Sequence, residues 1–86
     1  MKDVLMMVQQ GCPHCRKAFE IMDQLSREYP QYAQVPVKIV DELQEKEFAD
    51  TLDYWYVPTF FVDGQKVHEG VPSLEKIQEV FEAALL

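Results

Sequence analysis

The chain has 86 residues, 48% of them hydrophobic and 27% charged, with a formal net charge of −7. Length and composition fit one globular domain over residues 1–86, with too little chain for two cores. The acidity disfavours nucleic acid and anionic membrane surfaces as partners, since like charges repel.

Val4-Leu5-Met6-Met7-Val8 is continuously apolar, as in a strand covered on both faces of a partly parallel sheet. This run is shorter than the core of a secretory signal, and nothing approaches the ~18 apolar residues of a membrane span. A cytoplasmic monomer is the expectation. Gly11 then breaks the strand, and Pro13 suits the first turn of a helix, where its missing N–H costs nothing. Cys15, Ala18, Phe19, Met22, Leu25 and Tyr29 recur at helical spacing and form the expected buried stripe, which Pro30 ends. A second strand is expected over Val35 to Val40, at a sheet edge, because Pro36 cannot donate to a ladder and Lys38 deters pairing. A short helix follows over Leu43 to Leu52, with Phe48, Ala49 and Leu52 facing inward. "TFFVDGQKVHEG" reads as two strands around Asp63-Gly64, a pair favoured in two-residue hairpin turns. Ser73 is a natural N-cap for the last helix, whose stripe is Leu74, Ile77, Phe81, Ala84 and Leu85. The fold class is therefore α/β, in the order β-α-β-α-β-β-α: a four-stranded mixed sheet with helices on both faces.

The only two cysteines, Cys12 and Cys15, flank Pro13 and His14 at the start of the first helix. A disulfide between them would close too short a loop to constrain the unfolded chain. A structural zinc needs four ligands, and only His14 and His68 could join the pair, so no metal site is expected. Redox chemistry suits the placement better. A helix N-terminus carries partial positive charge and unpaired N–H groups, both of which favour a thiolate. Cys12, at the exposed end, is the expected nucleophile; Cys15, one turn deeper on the buried stripe, is the expected resolving thiol. His14, between them, would tune the couple by stabilising the reduced sulfur. Tyr54, Trp55 and Tyr56 either line a groove for peptide or glutathione or pack the second helix on the sheet, with Trp55 the expected packer. His68 reads as solvent-facing.

Gly11-Cys12-Pro13-His14-Cys15 after the first strand, Val57-Pro58-Thr59 before the third, and the Asp63-Gly64 hairpin together resemble a glutaredoxin-type member of the thioredoxin superfamily. The resemblance runs over nearly the whole chain and implies a thioredoxin fold. It implies a thiol–disulfide oxidoreductase in which Pro58 is cis and packs against the cysteines, while the Val57 backbone pairs with an extended substrate. The segment holding the glutamyl end of glutathione in that family corresponds to Glu69 to Glu75. Glu69 and Gly70 thus join Tyr56, Val57 and Pro58 in the implied substrate site. Implied partners are disulfide-containing proteins, with glutathione or a flavoprotein reductase as electron donor and no tightly bound cofactor.

The departures bear on the donor. His14 replaces the tyrosine common in glutaredoxins, giving the motif of periplasmic disulfide-forming oxidases. Gln9 and Gln10 stand where a basic residue is common. No aspartate remains in Glu69 to Glu75, and Glu69 would repel a carboxylate, which counts against glutathione. A competing reading is a non-catalytic carrier: a dimer ligating an iron–sulfur cluster through Cys12 of each subunit.

Overall fold

A computed structural model describes residues 1–86. In chain order, strand β1 (Val4–Val8) leads to helix α1 (Pro13–Glu28), then β2 (Val37–Asp41), a short α2 (Lys46–Ala49), β3 (Thr59–Val62), β4 (Gln65–Glu69) and α3 (Leu74–Leu85). The four strands form one sheet in the order β2-β1-β3-β4. β1 runs parallel to β2, with Met6 opposite Ile39, and antiparallel to β3, with Met6 opposite Phe60. β3 and β4 form an antiparallel hairpin.

Alternation along β1 divides the interior in two. Val4, Met6 and Val8 face α1 and α3, meeting Cys15, Ala18, Leu25, Ile77 and Phe81 in a cluster of 15 buried residues. Met7 faces the other side, where it meets Val40, Ala49 and Phe61 in a cluster of only four. Both faces are apolar because both are covered, which explains the unbroken hydrophobic run. Val57 packs against both clusters, at the seam between them.

Local chemistry sets the element ends. Tyr29 is extended (φ −127°, ψ 91°), as steric conflict with the following Pro30 requires, so α1 stops there. Asp63 and Gly64 both have positive φ (51° and 84°), the backbone a primed two-residue hairpin turn demands. The Ser73 hydroxyl accepts from the Lys76 N–H at 3.1 Å and caps α3.

Several expectations need correction. β2 begins at Val37 rather than Val35, because Pro30–Gln34 winds as a 3₁₀ turn that drives Tyr32 and Val35 into the core. Pro36 stands just outside β2, yet its carbonyl still accepts from Val4 N–H at 2.9 Å. The helix expected over 43–52 shrinks to Lys46–Ala49. Asp41 accepts the N–H groups of Leu43 (2.8 Å) and Gln44 (3.3 Å) on one carboxylate oxygen, closing a turn from which the regular helix starts only at Lys46. Past Ala49 the N–H groups of Thr51 and Leu52 turn back to carbonyls three residues earlier, which ends the helix. Phe48 is exposed, and of the three inward candidates only Ala49 is buried. In α1 the buried set is Cys15, Ala18, Ile21 and Leu25; Phe19 and Tyr29 sit at the exposed margin, and Ile21 replaces them. In α3, Val80 joins Ile77, Phe81 and Ala84, whereas Leu74 is exposed and Leu85 half-buried.

Candidate active site

The turn between β1 and α1 builds the site. Gly11 takes φ +83°, a conformation that penalises any side chain, and the Cys12 N–H closes back on the Gln9 carbonyl at 3.1 Å. Asp41, at the end of β2, bolts this turn to the sheet by accepting the Gln10 N–H at 3.0 Å. Cys12 is then left extended as the N-cap of α1, with Pro13 in the first helical turn.

Its sulfur occupies the acceptor position of a capping side chain. The Cys15 N–H donates to Cys12 Sγ at 3.2 Å, one of the orphan amides of the helix end. The positive end of the α1 dipole points at the same sulfur. Cys12 is half-buried, whereas Cys15 is 3% exposed, and both are free thiols. Burial pushes the Cys15 thiol up to about 12, reinforced by its hydrogen bond with Cys12, by the Cys12 charge and by that of Glu42. Two of those influences vanish once Cys12 is tied up in a bond to another sulfur.

The Val57–Pro58 peptide is cis, and Pro58 is fully buried. The Val57 carbonyl oxygen lies 3.9 Å from Cys12 Sγ, at the limit of a weak S–H···O contact. Neither the N–H nor the carbonyl of Val57 has another partner in the chain. Around it the backbone is occupied. Thr59, fully buried, donates its hydroxyl to the Tyr56 carbonyl, and the Gly70 N–H donates to the Pro58 carbonyl at 2.8 Å.

The remaining sequence candidates fall in two groups. Glu69 and Gly70 adjoin the Val57–Pro58 segment, but both are engaged inside the fold. Glu69 accepts from Lys66 Nζ at 2.7 Å, from the Tyr56 N–H at 2.8 Å and from the Trp55 N–H. Those three donors, Lys66 foremost, hold its carboxyl at about 2. His14 is exposed and its side chain makes no hydrogen bond within the chain. The aromatic expectation reverses: Tyr54 is the packer, edge-on to Phe61 with its hydroxyl on Glu42 at 2.6 Å, while Trp55 is 83% exposed and Tyr56 71%. His68 is half-buried rather than solvent-facing, its Nε2 3.1 Å from the Gly70 carbonyl. Sequence reasoning missed Asp41, Lys66 and the amide contacts of Glu69. An aspartate ending a strand just before a turn was the one available signal for Asp41.

A shallow cavity of about 540 Å³ opens beside the sulfurs, lined by Gln9, Arg16, Phe19, Asp41 and Gln44 as well as both cysteines. A slightly larger apolar groove of about 560 Å³, between Leu5, Phe48, Leu52 and Phe61, extends towards Asp3 and Gly64 at the opposite end of the sheet, away from this chemistry. No group of three or more His, Cys, Asp or Glu side chains is placed to hold a metal ion, and no helix is long and apolar enough to cross a membrane.

No curated protein matches the chain in sequence. Among solved structures, it superposes on a malarial protein with a TM-score of 0.73 and 17% identity, covering 100% of this chain and 99% of that one. It likewise superposes on the oxidised thioredoxin of Plasmodium falciparum with a TM-score of 0.70 and 16% identity, covering 95% and 79%. At such identities the likeness speaks for the fold, which is the thioredoxin fold. The sequence itself matches the family model described as Thioredoxin domain over residues 2–82, a span that takes in the cysteine pair, the Val57–Pro58 segment and every strand. By that match the chain belongs to the thioredoxin domain family, as a small member of the thioredoxin superfamily.

Proposed function

We infer that the protein is a thiol–disulfide oxidoreductase working through Cys12 and Cys15. The observation that carries this is the unequal treatment of the two sulfurs. Cys12 Sγ is half-buried and receives an amide hydrogen bond at 3.2 Å, while Cys15 is 3% exposed with its thiol pushed up to about 12. The Cys12 thiolate attacks one sulfur of a substrate disulfide, forming a mixed disulfide and expelling the other sulfur as a thiolate that takes a proton from water. Burial remains, but bonding removes the Cys12 hydrogen bond and charge that added to it in holding the Cys15 proton. Cys15 then releases that proton to water and attacks Cys12 Sγ, forming the Cys12–Cys15 disulfide and expelling the second substrate thiolate. Two electrons pass from the protein dithiol to the substrate; the reverse sequence oxidises a dithiol.

The open N–H and carbonyl of Val57 suit a substrate backbone laid beside Cys12, a short form of strand addition. Substrates on this reading are disulfide-containing proteins in a reducing cytosol, with glutathione or a flavoprotein reductase restoring the dithiol. Lys66 offers glutathione no free cation, because it is already paired with Glu69. His14, next to the attacking sulfur in sequence, biases the couple towards the dithiol.

The test is a pair of variants. Cys12→Ser should abolish reduction of a mixed disulfide. Cys15→Ser should still attack but stall, accumulating a covalent adduct visible by intact mass. Undiminished turnover by Cys12→Ser would refute the assignment.

A further inference from the structure

Most hydrogen bonds to the backbone of the loop from Asp53 to Pro58 come from the β3–β4 hairpin and the residue that follows it. Lys66 Nζ donates to the Asp53 carbonyl at 3.2 Å and to Glu69 Oε1 at 2.7 Å. Glu69 Oε2 accepts the N–H groups of both Trp55 and Tyr56, the latter at 2.8 Å. The buried Thr59, opposite Glu69 across the hairpin, fixes the Tyr56 carbonyl, and Gly70 fixes that of Pro58. Val57 keeps both its backbone groups free of any other partner in the chain, its carbonyl oxygen 3.9 Å from the attacking sulfur. Because Glu69 grips Trp55 and Tyr56 by their amides, both rings stand in solvent, 83% and 71% exposed. Large aromatics displayed on an anchored backbone supply contact area at little cost in conformational freedom.

Building on the oxidoreductase reading, we propose that Glu69 is a positioning residue which presents Val57 and the rings of Trp55 and Tyr56 to an extended polypeptide, so that the site selects disulfides in protein chains with apolar residues beside the cysteine. A polypeptide is the occupant that uses every feature. Its backbone pairs with the two open groups of Val57, and its apolar side chains cover the rings. A small disulfide has neither. The carboxylate contributes no free charge to the ligand, since Lys66 neutralises it in place. Its role is to keep the loop in the one conformation that leaves Val57 unpaired and facing Cys12.

The experiment uses pre-reduced protein in single turnover, so that no electron donor is needed. Two probes are compared: a short peptide disulfide with phenylalanine beside its cysteine, and bis(2-hydroxyethyl) disulfide. In Glu69→Ala the ratio of peptide to small-disulfide rate constants should fall about five- to tenfold, with the loss in apparent affinity rather than maximal rate. The anisotropy of Trp55, the sole tryptophan, should fall with it. Glu69→Gln keeps an oxygen for the amides and should recover part of the ratio. Trp55→Ala should lower the ratio while leaving Glu69 in place, and it stands as the measurement if Glu69→Ala does not fold. Equal losses on both probes, or an unchanged ratio with a freed Trp55, would overturn the proposal. Wild-type protein that reduces neither probe would overturn the oxidoreductase reading itself, and this inference with it.

Discussion

Two sulfurs three residues apart acquire different chemistry because one caps a helix and the other is turned into the core. Proximity makes them a pair; burial makes them unequal. Glu69 is the third residue whose surroundings decide its behaviour. Its carboxyl, 17% exposed, is held at about 2 by Lys66 and two amides, against an ordinary value of 4.5. A carboxyl lowered by folding adds stability that is fully present above its unfolded value and is lost as pH falls through the folded one. The stability advantage of wild-type protein over Glu69→Gln should therefore be constant from neutrality down to about pH 5 and fade towards pH 2. Urea unfolding at a series of pH values reads this directly, and an advantage that grows on acidification would contradict it. On the proposed reading, exchanging His14 for tyrosine should make the couple more reducing, measured as the equilibrium with a glutathione buffer, because a group proposed to favour the reduced sulfur would be removed.

Among the elements, the helices differ in what sustains them. α1 has a capped start, 16 residues and a continuous buried face, so it was readable from spacing alone. α3 depends more on its entry. Ser73 meets one of its orphan amides, so Ser73→Ala should cost about 0.5–2 kcal/mol, seen as a lower urea midpoint with an unchanged slope. α2 shows where spacing misleads. Phe48, Ala49 and Leu52 have helical spacing, yet the regular helix covers only Lys46–Ala49 and only Ala49 of the three is buried. Where the chain stops winding and how much of that face is covered are invisible to a periodicity argument. The margins of the helical stripes moved for a related reason: which flank of α1 is covered depends on where Tyr32 and α3 lie, so Ile21 is buried and Phe19 is not.

Across the whole molecule the two faces of the sheet are unequal, with 15 buried residues under α1 and α3 against four under α2. A domain of 86 residues has a total stability of about 4–13 kcal/mol. Leu25, fully buried on the thicker side, should therefore cost about 2–5 kcal/mol when cut to alanine, a large share of the total. Phe48→Ala, on the thin side and 40% exposed, should cost less than about 1 kcal/mol, as thermal unfolding of the two variants would show.

Strand and helix order, the hairpin and the helix-capping cysteine were all determined by the sequence itself. Each rests on contacts within a few residues: Gly11 before Cys12 and Pro13, Asp63 beside Gly64, apolar residues at helical spacing. What only the tertiary structure decided lies between segments far apart in the chain. It turned Trp55 and Tyr56 outward and Tyr54 inward, set Val57 beside Cys12, and placed Glu69 under the amides of a loop thirteen residues earlier. Every residue but proline carries the same backbone N–H and C=O, so no sequence pattern announces which carboxylate will hold them.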